Sequence, residues 1–243
     1  DADALQELLD SRQKAEPVVP VKETKGSEQH KIEAHKDSSY APRTRVNAQT
    51  ADFTVAFAVD FETAGERLTK KAAGDNFLAI SFGTDTDVAA KALAAALKKR
   101  GRNLNVAGNG LNTYAKNGYT QAQVDAWVVE VLTKVHALTP LTSIRSGGQT
   151  GADIAGLVAA QIIGIDSIGL FPAGFKQRTA DGKDITNTKA SIAKQIDNQV
   201  ATLKGQPKKE ALSKKELQGK IRLLGRLQSV LHTGAPDETP SEL

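Results

Sequence analysis

The sequence has no cysteine, no methionine, four histidines, and aromatic residues at only 5% of its 243 positions. Without cysteine there is no disulfide, thiol nucleophile, iron–sulfur cluster or cysteine-ligated zinc, which excludes a disulfide-stapled extracellular scaffold. Four scattered histidines do not suggest a multi-histidine metal site, and no metal centre is expected. No apolar run approaches the roughly 18–20 residues needed to cross a bilayer. The first residues alternate in charge and lack the apolar stretch of a signal peptide, so no membrane span is expected. A translated chain begins with methionine; a chain that starts at Asp1 and contains none reads as a fragment or processed product of a longer parent.

What is present is ordinary globular material: 40% hydrophobic and 25% charged residues, enough for one sizeable core. The net charge of +4 is unevenly spread. Between Lys204 and Arg226 eight basic residues face two acidic ones, a local net charge of +6 that exceeds the excess of the whole chain. Such a stripe is a solvated helix face in the commonest case, or a surface for nucleic acid or an acidic partner.

Three regions follow from the texture. Residues 1–50 mix charges of both signs with Pro17, Pro20, Gly26, Ser27 and Pro42, and carry too little apolar area to offset the entropy of ordering. They are expected to form an extended arm that orders on a partner. Residues 51–204 are expected to form the folded domain. Residues 205–243 read as a linker followed by a basic amphipathic helix. Ser213 and Glu216 would form its capping box, Leu217, Ile221, Leu224, Leu227 and Leu231 its apolar stripe, and Gly234 and Pro236 its stop.

Within the central region, short apolar runs suit strands buried on both faces: Phe53–Val59, Phe77–Phe82, Leu104–Ala107, Thr142–Arg145 and Ile168–Phe171. Helical patterns separate them. Asp85–Arg100 is alanine-rich, with Val88, Ala92, Leu93, Ala96 and Leu97 on one face. A capping box at Thr120 and Gln123 opens a helix striped by Val124, Trp127, Val128, Val131, Leu132 and Val135. A third helix spans Thr150–Ile162, and Ile192, Ile196, Val200 and Leu203 mark a fourth. This alternation predicts an α/β fold, a Rossmann-like, mostly parallel sheet with helices on both faces. Ligands of such sheets bind beyond the C-terminal strand ends.

Two glycine bends fall at strand ends. Arg145-Ser146-Gly147-Gly148-Gln149-Thr150-Gly151-Ala152-Asp153 reads strand, bend, helix start, and its free amides and helix dipole favour an anion. It is neither a Walker A loop nor the Gly-x-Gly-x-x-Gly fingerprint. Gly108-Asn109-Gly110 follows another strand, and Asn109 offers both donor and acceptor groups to a base or sugar. A plain turn is the competing reading at each. Pro172-Ala173-Gly174 could wall a ligand. Glu62 and Glu66, four residues apart, would share a helix face and reach a ribose, or pair with Arg67 and Lys70. No Ser-His-Asp pattern is present, so catalytic residues are unassigned. Any acid–base chemistry would fall to Asp153, Glu62 or Glu66.

Together these segments resemble the SLOG superfamily, most closely its YspA/cpYpsA-related branch, which includes proteins labelled molybdenum carriers. The segments Thr63–Thr69, Asn105–Gly110, Thr120–Asp125 and Arg145–Gly151 look like the version found in phage polyvalent proteins. The likeness covers about residues 53–185. It implies a nucleotide-derived ligand such as an ADP-ribose- or NAD-like molecule, held by Gly147, Gly148, Gln149, Thr150, Gly151 and Asp153 with Gly108, Asn109, Gly110 and Arg145 beside them. It also implies a phage or mobile-element protein, packaged in the virion or acting in the host cytoplasm to counter host defence. The alternative is a virion assembly component that keeps the fold and associates with other phage proteins through residues 1–50 and 205–243, with nucleic acid a further partner for the basic tail. The superfamily's phosphoribohydrolase branch carries a Pro-Gly-Gly-x-Gly-Thr loop followed by a glutamate. This chain has Ser-Gly-Gly-Gln-Thr-Gly and no glutamate in the following turn, which argues against N-glycosidic hydrolysis.

Overall fold

The computed structural model describes residues 29–205. The terminal parts of the expected arm and the whole basic helix lie outside them.

The five apolar runs become strands β2 (Phe53–Ala58), β3 (Phe77–Ser81), β4 (Asn103–Gly108), β5 (Ser143–Ser146) and β6 (Asp166–Phe171). With β1 (His30–Ala34) they form one six-stranded sheet in the order β1-β6-β5-β4-β2-β3, and every pairing is parallel. The fold is therefore α/β and Rossmann-like, as the alternation of elements predicts. After β2 the chain steps outward to β3, then crosses back over β2 to lay down β4. Strand order thus reverses between β2 and β4, and a crevice opens at such a reversal because the two connections leave in opposite directions.

The two sheet faces differ in chemistry. Phe53, Val55, Phe57, Leu104, Val106 and Ile144 join one buried apolar cluster with α3 (Thr86–Leu97), α5 (Gln121–Leu138) and α6 (Ala152–Ile163). The alternate positions Thr54 and Asn105 face the other way and hydrogen-bond to each other at 3.3 Å. That polar side is covered by α1 (Tyr40–Thr50) and α2 (Ala64–Ala73), which pack on one another. A short α4 (Leu111–Lys116) follows β4, and α7 (Lys189–Gly205) buries Ile192, Ile196 and Val200 against Ile154, Leu157, Val158 and Phe171.

Helix starts follow the sequence signals. Thr120 and Gln123 close the predicted capping box on α5. Asp85 caps α3, accepting from the amides of Asp87 and Val88. The buried face of α3 differs from the predicted one. Ala89, Ala90, Leu93, Ala94 and Leu97 are inside, while Val88 is 59% exposed. In an alanine-rich helix small residues ring the axis, so the apolar stripe fixes the rotation poorly.

The main correction concerns the arm. Residues 30–50 are not an extended tail: β1 pairs with β6 from His30↔Ser167 to Ala34↔Phe171, and α1 buries Arg43, Asn47 and Ala48. The physical reason is polar burial. α1 has little apolar area and docks through an ion pair and an amide, which composition does not reveal. The folded region thus begins some twenty residues before the expected boundary at 51.

Gly108 is the tightest backbone approach at the reversal. Its φ is 150°, and a Cβ there would stand 1.9 Å from the Phe57 carbonyl oxygen of the neighbouring strand. Gly108→Ala is expected to destabilise the protein by about 3 kcal/mol in urea unfolding, because backbone rather than a flexible side chain would have to move.

Candidate functional site

A cleft of about 660 Å³ lies at the β2–β4 reversal, between the polar sheet face and helices α1 and α2. The loop after β2 supplies Asp60 and Thr63, and α2 supplies Glu66 and Thr69. β4 and its bend supply Asn105 and Gly108–Gly110, α1 supplies Tyr40, Arg43 and Asn47, and the second bend supplies Gly147, Gln149 and Asp153.

Asn109 is the joint of this site. Its Oδ1 accepts from the amides of Val59 and Asp60, each at 2.9 Å, and its Nδ2 donates to the Asp60 carbonyl at 2.8 Å and to Glu66 Oε1 at 3.3 Å. Three of these bonds hold the tip of β2 and the fourth reaches α2, so its capacity is used within the protein. The expectation that it reads a ligand therefore gives way to a structural role, although it still lines the cleft.

Glu66 sits in the first turn of α2. Thr63 caps that helix, its hydroxyl accepting from the Glu66 amide. The Glu66 side chain is not folded back in a capping box but buried, with Oε2 lacking any partner. Burial, aided by the nearby Asp153 and Asp60 charges, pushes its pKa up to about 8, against the pull of the Asn109 hydrogen bond. At neutral pH it is a protonated acid, able to donate as well as accept. Glu62, its expected companion, precedes the Thr63 cap and is exposed outside the cleft. The two do not share a helix face because the helix begins only at Ala64.

Asp153 is also buried and bonds to Arg43 Nη1 at 3.0 Å. Its burial raises its pKa, and the Arg43 guanidinium opposes that shift. Arg43, which sequence reasoning assigned to the arm, lies directly over Gly147: a Cβ on that glycine would fall 1.5 Å from Nη1.

The two glycine bends are neighbours, joined by Leu111 donating to the Thr150 carbonyl and Ala152 donating to the Asn109 carbonyl. Most of the amides expected to cradle an anion already donate within the protein, Gly148 N among them to Ser146 Oγ. Thr150 N donates to Gln149 Oε1, Gly151 N to Gln121 Oε1 at 2.6 Å, and Ile154 N to the Gln149 carbonyl. Arg43 fills the space over Gly147, and the Phe171 ring fills the space over Gly148. The bend is a closed structural knot rather than an open anion seat.

Of the sequence-predicted site residues, the cleft gathers Gly108, Asn109, Gly110, Gly147, Gln149, Asp153 and Glu66. Gly148, Thr150, Gly151 and Arg145 stand outside its lining. Thr150 donates to the Arg178 carbonyl, and Arg145 lies buried in β5. Pro172 and Gly174 are also outside. Their loop is tied down by Ala173 donating to the Asp37 carbonyl and Asn187 donating to the Gly174 carbonyl, and it does not wall the ligand space.

The residues missed are Tyr40, Arg43, Asn47 and Asp60, while Arg178, just beyond the expected Pro172–Gly174 wall, does line the cleft. Arg178 belongs to β7 (Gln177–Arg178), paired antiparallel with β8 (Asp184–Ile185). Asp60, next to the noted Phe53–Val59 strand, was the one with a usable signal: an acidic residue at a strand end.

Comparison of the chain with protein-family models, with curated proteins and with solved structures finds no match. The class is therefore set by the fold and cleft: a parallel α/β protein with a polar, partly buried pocket at its switch point.

Glu66 makes stability depend on pH. Its folded pKa of about 8 stands above the ordinary value of 4.5. Between those limits the folded state holds a proton the unfolded state has lost, so stability falls as pH rises. Glu66→Gln is expected to gain about 3 kcal/mol relative to the parent between pH 5 and pH 9 in urea unfolding. Parallel pH profiles for the two proteins would show that Glu66 ionises normally.

Proposed function

We propose that this domain binds a nucleotide-derived ligand, of the ADP-ribose or NAD kind, in the β2–β4 cleft. The observation that carries the reading is the unpartnered Glu66 Oε2 buried in the wall of a cleft at the switch point. A buried polar atom without a partner costs about 1–3 kcal/mol, and a ligand hydroxyl would recover it. Two more such atoms, Asn47 Oδ1 and Arg43 Nε, belong to residues of the same lining. A sugar diol suits this set, because it offers donors and acceptors at close spacing to a carboxyl group that can do both.

The likeness of the loops to the SLOG superfamily supports the nucleotide class. The mobile-element setting, with a packaged protein that acts against host defence, has the same support. One part of that likeness is set aside: with the Gly148, Thr150 and Gly151 amides donating within the protein, this reading seats the ligand's anionic part elsewhere in the cleft. No catalytic step is assigned. The function is binding of the ligand, with Glu66 as the sugar-facing contact.

Titration calorimetry with ADP-ribose and with NAD tests the reading. Binding in the micromolar range is expected, with Glu66→Ala weakening it about tenfold, equivalent to one lost buried hydrogen bond. No heat for either ligand at millimolar concentration would reject the proposal.

A further inference from the structure

A cationic cluster surrounds one aromatic ring of the cleft lining. Tyr40 lies with the Lys176 ammonium 5.1 Å, the Arg178 guanidinium 5.3 Å and the Arg43 guanidinium 5.7 Å from its ring centroid. Two carboxylates serve these three cations. Asp153 contacts Arg43 at 3.0 Å, and Asp184 contacts Arg178 at 2.7 Å and Lys176 at 3.8 Å. The Tyr40 hydroxyl donates to the same Asp184 at 2.9 Å. Arg43 is 7% exposed, and its Nε has no partner.

We propose that Tyr40, Arg43, Arg178 and Lys176 form a phosphate-binding clamp that takes the diphosphate of the nucleotide-derived ligand, with the sugar on Glu66. Asp153 and Asp184 balance two of the three positive charges gathered on this ring, and the remaining charge, with cation–π contact to a single tyrosine offsetting only part of the repulsion, leaves the cluster attractive to a further anion. Two arginines present planar forks suited to phosphate oxygens. Tyr40, Arg43 and Arg178 line the same cleft as Glu66, so one ligand can touch both ends. This seat replaces the glycine bend, whose Gly148, Thr150 and Gly151 amides already donate within the protein.

The clamp rests on the nucleotide reading, and three probes separate the two: ADP-ribose, adenosine and inorganic pyrophosphate, each titrated calorimetrically into the full chain. Arg43 is too buried for a clean variant, so the test uses Arg178→Gln with Lys176→Gln, at positions whose side chains reach solvent. An unchanged melting temperature checks that the fold is intact. The double variant is expected to lose about 30-fold in affinity for ADP-ribose and for pyrophosphate while binding adenosine as the parent does, and Arg178→Lys is expected to restore only part of the loss. Equal ADP-ribose affinity in parent and double variant would overturn the clamp, as would a parent that binds adenosine but neither anion. If the parent binds pyrophosphate through Arg178 yet ignores ADP-ribose and adenosine, the clamp stands and the nucleotide reading falls.

Discussion

The ion pair between Arg43 and Asp153 governs the rest of this structure. It joins an N-terminal helix to the first turn of α6, over a separation of 110 residues, and both partners are almost fully buried. A buried pair of this kind gains little net stability over an apolar contact, yet removing one partner strands the other. Its value here is geometric. Arg43 fixes where α1 sits on the sheet, and with α1 come Tyr40 and Asn47, which build one wall of the cleft. It also fills the volume that Gly147 leaves by having no side chain. The glycine is thus required for an internal side chain rather than for a ligand, although the sequence pattern is the same in both cases.

A second joint acts in series with the first. Asn109 ties the β2 tip to the β4 bend through three hydrogen bonds and reaches Glu66 on α2 with a fourth, and the β4 bend ties to the α6 start through the Asn109 carbonyl. Gln121 extends the chain of contacts. It grips the amide and carbonyl of Gly151 and donates to Asp125, which also accepts from Gln199 on α7. The bends beside the cleft are therefore rigid, and a ligand would meet a pre-formed floor.

The sheet was legible because its strands are short, apolar and bounded by glycine or polar residues, and all five such runs of the central region became strands, although β3 lies at the sheet's edge with only Ile80 buried. Helix starts were legible where a cap was present, as at Asp85 and Thr120. The rotation of α3 was not, because alanine carries too little information about which side faces in. β1 and α1 escaped for the opposite reason. His30–Ala34 carries a single large apolar residue, Ile32, at the sheet's edge, and α1 buries an arginine and an asparagine. Composition counts both as marks of exposure. Half of the cleft was therefore visible from its glycine bends and Glu66. The half built from α1 and the β7–β8 hairpin depends on long-range pairing that no local pattern encodes.

The chemistry of the sheet's two faces explains why a cleft exists at all. On the face under α3, α5 and α6, large side chains such as Phe57, Leu104 and Ile144 interdigitate and exclude solvent. On the opposite face the rows are set by Thr54, Asn105 and the small Ala56 and Ala107, in register across β2 and β4. Small and polar side chains cannot fill the space beneath two helices, and the polar ones need partners. Helices α1 and α2 accordingly meet each other and the sheet through Arg43, Asn47, Glu66 and Thr69, all buried, instead of through an aliphatic seam. Such a layer forfeits hydrophobic stabilisation that an apolar face would supply at about 25 cal/mol per Å². The face keeps in exchange a polar, hydrogen-bonding volume at the point where the strand order reverses, and the stability of the domain is carried by the other side.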